Sequence, residues 1–86
     1  MKIVFQDEGW ADYLHWQEHD QKLLKKLNGL IKECSRTPFA GTGKPEPLVS
    51  ALSGWWSRRI DQEHRLVYRF TDEALLIAQC RHHYRR

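Results

Sequence analysis

What this chain lacks narrows the field first. It holds two cysteines, Cys34 and Cys80, with no metal-type spacing. Cys34 falls on the apolar side of a helical pattern and Cys80 ends an apolar strand pattern, so both read as buried thiols in a reducing cytosol. Cys80 with His82 and His83 makes a geometrically poor zinc set, and neither a metal nor another cofactor is expected. There is no long apolar run. The N-terminal stretch Ile3-Val4-Phe5 is far too short for a signal peptide or a membrane span, which points to a cytoplasmic protein with no membrane partner. Neither sign of charge dominates: 14 Lys and Arg against 11 Asp and Glu leave +3. A tail-like nucleic-acid binder would carry far more, yet the sign still favours anionic partners such as RNA, a nucleoprotein or an acidic protein. Without a repeat or a low-complexity segment, residues 1–86 are expected to form one domain.

What is present suits a small globular core. Apolar residues make up 41% and aromatics 12%, with four tryptophans, some of which must anchor the interior of so small a domain. Lys2 to Phe5 suits a first strand. Asp7 is a fair N-cap for a helix over about Glu8 to Glu18, and Asp20 caps the next. There Leu23, Leu24, Leu27, Leu30, Ile31 and Cys34 recur with helical spacing. The opposite face carries Lys22, Lys25, Lys26, Lys32 and Arg36, and Pro38 closes the helix. A Gly/Pro-rich connection from Thr37 to Pro47 follows. Strand patterns come next at Trp55 to Ile60, Arg65 to Phe70 and Leu75 to Cys80, with a further short strand at Leu48 to Ser53. The fold class is α+β: an N-terminal strand and two helices packed on an antiparallel sheet of about four to five strands.

Alternation puts Leu66, Tyr68 and Phe70 on one face and Arg65, Val67 and Arg69 on the other. In the last strand Leu76, Ala78 and Cys80 share a face, opposite Leu75, Ile77, Gln79, Arg81 and His83. A three- or five-residue hairpin loop brings Arg65 and His83 to one face and Leu66 and Leu76 to the core. A two- or four-residue loop separates Arg65 from His83 unless a bulge restores the parity.

One carboxylate stands out. Glu46 lies in Gly41-Thr42-Gly43-Lys44-Pro45-Glu46-Pro47, where a proline on each side stiffens the backbone and removes amide donors. RNA carries its own nucleophile, the 2′-hydroxyl, so cutting it needs a base, a cation for the phosphorane and an acid for the leaving 5′-oxygen. Glu46 is the candidate base. A carboxylate free in water titrates near about 4.3, so the role calls for desolvation against the prolines and tryptophans, opposed by Lys44 if it sits close. The bland alternative is a solvated surface glutamate. Arg65, at the start of a strand, is the candidate cation, because a planar guanidinium fits phosphate oxygens. The alternative is an edge-strand arginine paired to Glu63 or Asp61. His83 is the candidate acid, with His82 competing and a solvated terminus as the alternative. Tyr84 either stacks a base or caps the core. Arg58 and Arg59 are adjacent and face opposite ways, so at most one joins Arg65. Lys44, Arg59, Lys22, Lys25 and Lys26 are the candidate RNA contacts, although a lysine row on a helix is often just a solvated face.

The stretch Arg36-Thr37-Pro38-Phe39, the run Gly43 to Leu48, Leu52-Ser53-Gly54-Trp55-Trp56-Ser57-Arg58-Arg59-Ile60, Glu63-His64-Arg65-Leu66-Val67-Tyr68 and Cys80-Arg81-His82-His83-Tyr84 occur here in that order. Taken together, the chain resembles the YoeB toxins of bacterial type II toxin–antitoxin systems, within the RelE superfamily. That resemblance implies a compact fold similar to microbial ribonucleases and metal-independent endonucleolytic cleavage of mRNA in the ribosomal A site. It implies Glu46 as base, Arg65 as transition-state cation, His83 as acid and Tyr84 as a stacking or positioning ring. It also implies an acidic-tailed, YefM-like antitoxin as partner, and members of the family can dimerise. The chain departs from the family pattern in two places. Arg85 and Arg86 follow the tyrosine, and His82 stands where another aromatic is common. Against the nuclease stand a fold relative that binds a gyrase-type or other target without cutting, and a plain RNA-binding protein. The latter leaves the Pro-Glu-Pro loop without a purpose, since an acid in an RNA groove repels the ligand.

Overall fold

The computed structural model describes residues 1–83. Its elements are β1 (Lys2–Phe5), α1 (Asp7–His19), α2 (Gln21–Cys34), β2 (Glu46–Pro47), a 3₁₀ turn (Ser50–Leu52), β3 (Trp56–Arg59), β4 (Arg65–Phe70) and β5 (Ala74–Gln79). The α2 pattern holds. Asp20 caps it, its Oδ1 accepting the Leu23 N–H at 2.9 Å, and Leu23, Leu27, Leu30, Ile31 and Cys34 are buried. The helix ends at Cys34, before Pro38 bears on it. Asp7 does not cap α1. Gln6 occupies that position without a side-chain bond, and Asp7 lies inside the first turn with Glu8, where negative charge complements the helix dipole. The strand expected over Leu48 to Ser53 is the 3₁₀ turn instead.

The five strands form one sheet in the order β1-β5-β4-β3-β2. Pairing is antiparallel from β2 through β5, but β1 runs parallel to β5, so the sheet is mixed. The chain leaves β1 at one edge, passes through both helices and returns as β2 at the other edge. α1 lies close on β5, and Gly9 allows it. A Cβ there would sit 2.6 Å from the Ile77 carbonyl oxygen.

The last hairpin corrects the expected core. Phe70 pairs with Leu75, Arg69 with Leu76 and Tyr68 with Ile77, but Val67 pairs with Gln79. Ala78 is the extra residue of a β-bulge. The hairpin thus begins in the register that separates Arg65 from His83, and the bulge reverses it one turn of the pleat before the strand ends. Leu75, Ile77 and Cys80, not Leu76 and Ala78, join Leu66 and Tyr68 in the core with Trp16, Leu27 and Ile60.

Candidate active site

Residues in register across β2 to β5 share a face of the sheet. One row, on the face away from the helices, is Glu46, Ser57, Val67 and Gln79. Two residues along, Arg59 pairs with Arg65 on that same face. Strands about 4.8 Å apart, rising about 3.3 Å per residue, set the Glu46 and Arg65 Cα atoms roughly 12 Å apart. Extended side chains can narrow that gap to the size of a phosphodiester. Glu46 therefore belongs to an edge strand and not to the loop before it. An edge strand tolerates Pro47, and Pro45 just before it, because one side of the strand makes no ladder bonds. Its carboxylate is exposed, so the desolvation expected from the prolines and tryptophans is not found. Glu46, Lys44 and Arg59 have no side-chain hydrogen bond or ion pair among the described residues.

Arg65 is held differently from either expectation. β4 is the central strand of five, and the guanidinium bonds carbonyls, not carboxylates. Its Nη1 donates to the carbonyls of Asp61 at 2.9 Å, Gln62 at 3.2 Å and His64 at 3.2 Å. The Asp61 carboxylate is spent on the turn itself, accepting the N–H groups of Glu63 at 2.8 Å and His64 at 2.7 Å. Burial pushes the Asp61 carboxyl up, but those two N–H bonds outweigh it, helped by the charge of Lys26, and hold the group below the usual range.

His83 is exposed and rides on a tethered turn. β5 ends at Gln79, so alternation no longer sorts His82 from His83. His82 takes a left-handed conformation at φ +63°. Its carbonyl accepts the Arg65 N–H at 2.9 Å, and its own N–H donates to His64 Nδ1 at 2.7 Å. Gln79 Nε2 donates to the His83 carbonyl at 3.0 Å. Behind the turn, Trp16 Nε1 donates to the Cys80 carbonyl at 2.8 Å and Asp12 Oδ2 accepts the Cys80 N–H at 3.0 Å. The fold thus brings Arg65 and His83 to adjacent backbone, with Glu46 facing them across β3. Tyr84, Arg85 and Arg86 lie outside the described residues.

Glu63, His64 and His82 bring potential ligand atoms within 4.8 Å of one another. The donor set does not suit a metal ion. His64 Nδ1 already takes the His82 N–H, so the ring's proton lies on Nε2, 3.7 Å from Glu63 Oε1. That leaves no lone pair on His64 while the bond stands.

Two clefts connect the lysine helix to this face. One of about 340 Å³ is lined by Lys26, Lys44 and Arg59 with Thr42, Gly43 and Gln62. The other, about 200 Å³, includes Lys22 and Lys26 beside Ile60 and Asp61. Lys25 is exposed and lines neither cleft.

The residues that sequence reasoning missed are mostly those that hold others in place. Arg58 is fully buried. Its guanidinium reaches Glu33 Oε2 at 2.6 Å, the Tyr68 hydroxyl at 3.2 Å, the carbonyls of Ala40 at 2.8 Å and Thr42 at 3.2 Å, and the Thr37 carbonyl. Burial pushes the Tyr68 hydroxyl up to about 12 and the Cys34 thiol up to about 11, so neither ionises at neutral pH. Nothing in the local sequence marks Gln79 or His64, whose roles arise from the turn at Arg81–His83.

Solved structures define the class. The YoeB/ParE toxin from Agrobacterium tumefaciens superposes with a TM-score of 0.94 at 50% identity, covering 98% of this chain and 100% of that one. The Staphylococcus aureus YoeB is similar at 45% identity, covering 98% of both chains. It has been solved as a dimer (TM-score 0.91) and in a heterotetrameric YoeB–YefM toxin–antitoxin complex (TM-score 0.90). Toxin YoeB of Escherichia coli K12 is 62% identical over 84 residues, spanning 98% of this chain and 100% of that protein. The model of the YoeB-like toxins of bacterial type II toxin–antitoxin systems matches residues 5–84, and the chain belongs to that family.

Proposed function

We propose that this toxin is a metal-independent endoribonuclease that cuts mRNA in the ribosomal A site and so stops translation. Glu46 takes the proton of the substrate's 2′-hydroxyl. The freed oxygen attacks the adjacent phosphorus, the bond to the 5′-oxygen breaks, and His83 supplies the proton that this oxygen needs. The products are a 2′,3′-cyclic phosphate and a 5′-hydroxyl. Arg65 holds the phosphorane charge from a rigid central strand, and Tyr84 stacks or positions the base. Lys44, Arg59, Lys26 and Lys22 grip phosphates along the clefts toward α2, and Lys25 adds an exposed charge on the same helix outside them. The observation that carries this reading is a carboxylate without a partner among the described residues, sharing a sheet face with Arg59 and Arg65. An acid left unpaired beside two cations suits a transient proton more than an architectural tie. Because Glu46 is exposed, the bound RNA and ribosome exclude its water.

The same reading gives the toxin a YefM-like antitoxin, as in the S. aureus complex, and a homodimeric form, as in the S. aureus dimer. Residues 1–86 then act as one domain in the cytoplasm. Primer extension on mRNA from cells expressing the chain tests the activity. Glu46→Ala, Arg65→Ala and His83→Gln are each expected to lower cleavage by about 10²- to 10⁴-fold with the protein still folded. Full cleavage by the Glu46→Ala, Arg65→Ala double variant overturns the proposal.

A further inference from the structure

We propose that His64 is a positioning residue, which sets the turn carrying His83 through the lone pair on its Nδ1. This rests on the reading of His83 as the acid. A backbone N–H can only donate, so the 2.7 Å contact from His82 fixes Nδ1 as the acceptor and leaves the ring proton on Nε2. The tautomer follows from geometry alone. Trp16 meets the His64 ring edge-on at 4.7 Å between centroids, which keeps the ring from swinging out of line.

The turn needs such a hold. His82 sits at φ +63°, a conformation that a side chain with a Cβ adopts only when its surroundings insist. The ties at Cys80 anchor the start of the turn, and Gln79 reaches the His83 carbonyl. The His82 peptide groups themselves are bonded by two consecutive residues, His64 through its ring and Arg65 through its N–H. The same short turn, Asp61 to His64, supplies the three carbonyls that hold the Arg65 guanidinium. One turn therefore aims the cation directly and the acid through a single imidazole. A change there alters the spacing between Arg65 and His83 without touching either side chain.

The test compares His64→Leu, which has no acceptor, with His64→Asn, whose Oδ1 replaces Nδ1 as acceptor. In the unmodified toxin, ring ¹⁵N shifts are expected to show His64 protonated on Nε2, with a slowly exchanging His82 amide. His64→Leu is expected to speed that amide's exchange at least about tenfold and to lower the single-turnover cleavage rate on the order of 10- to 100-fold, the scale of a misplacement near 1 Å. RNA affinity should stay unchanged. His64→Asn should restore both amide protection and rate. If His64→Leu does not fold, His64→Gln, which carries its acceptor one bond further out, takes its place. Protection of the His82 amide in His64→Leu, or equal impairment of the Leu and Asn variants, overturns the inference. So does a His64→Leu variant that cuts at the unmodified rate while His83→Gln is dead, and in that case the nuclease reading stands. If the unmodified toxin cuts no RNA but His64→Leu still frees the His82 amide, the latch is supported and the nuclease reading alone falls.

Discussion

Arg58 and Arg59 are neighbours in sequence and opposites in the fold. Arg58 points beneath the helices, fully buried, and bonds Glu33, Tyr68 and the carbonyls of the 37–42 loop. Arg59 is exposed, opposite Arg65, with no side-chain partner among the described residues. The difference separates two uses of one side chain. A buried guanidinium must be satisfied within the fold and becomes architecture. An unsatisfied one at the surface stays available for a phosphate. The two faces of the sheet differ in a related way, with apolar packing and a closed polar network under the helices and, on the other side, Glu46 and Arg59 without a side-chain partner among the described residues near an Arg65 held by carbonyls.

The sharpest break of that comparison is Arg58→Leu. It strips Glu33 of its ion pair and leaves the loop carbonyls bare, so it should cost about 3–5 kcal/mol, read as a lower midpoint in urea. The low end of that range is expected because Glu33 keeps 35% of its side-chain surface in water. Arg59→Leu should stay within about 0.5 kcal/mol of the parent and weaken RNA binding instead, with a shallower salt dependence. Equal stabilities for the two variants would erase the distinction.

A smaller effect tests how the two faces are joined. Gly43 sits at φ +87°, and a Cβ on it would lie 2.8 Å from the Arg59 carbonyl oxygen. Its own carbonyl accepts the Arg59 N–H at 2.7 Å. Gly43→Ala should therefore push the Lys44–Glu46 segment off β3, costing about 1–3 kcal/mol and lowering the cleavage rate more than Arg59→Leu does. Calorimetry and a cleavage assay on the same preparation would check both halves.

The smallest effect concerns pH. The Asp61 carboxyl is depressed by its N–H bonds. A depressed carboxyl contributes stability that is present above its unfolded pKa of about 3.9 and is lost as pH falls through the lower folded value. Asp61→Asn should thus be slightly less stable than the parent at neutral pH, and the difference should shrink below about pH 4. A difference that grows on acidification would mean that Asp61 is not the acceptor its geometry suggests.

Much of this arrangement was legible in the sequence. The leucine spacing of α2, the Asp20 cap and the bounds of β4 rest on local periodicity and hydrogen bonding, which a sequence records directly. The faces of Arg65, Val67 and Arg69 follow from strand geometry alone. The core partners of Leu66 could not be read, because a bulge is set by what packs on both sides of a strand and Ala78 looks like any other strand residue. Arg58 and Arg59 could be put on opposite faces and Arg59 named as the RNA contact, but the closed network around Arg58 could not be read, because its partners lie far off in α2, β4 and the 37–42 loop. Glu46 read as a loop residue because prolines on both sides argue against a strand, a rule that an outermost strand escapes. His64 was overlooked because its partner is a main-chain N–H at His82, whose left-handed turn no local pattern announces.

The extra residue at Ala78 lets the two ends of β5 run in opposite phase. Toward the hairpin tip the odd-numbered positions Leu75 and Ile77 serve the interior, while beyond the bulge that duty passes to the even-numbered Cys80. A regular strand of the same length, without the bulge, would turn the Gln79 amide under the helices and swing the Cys80 thiol outward. Interior and working surface would be spoiled together by straightening that one irregularity, although neither has lost a residue of its own.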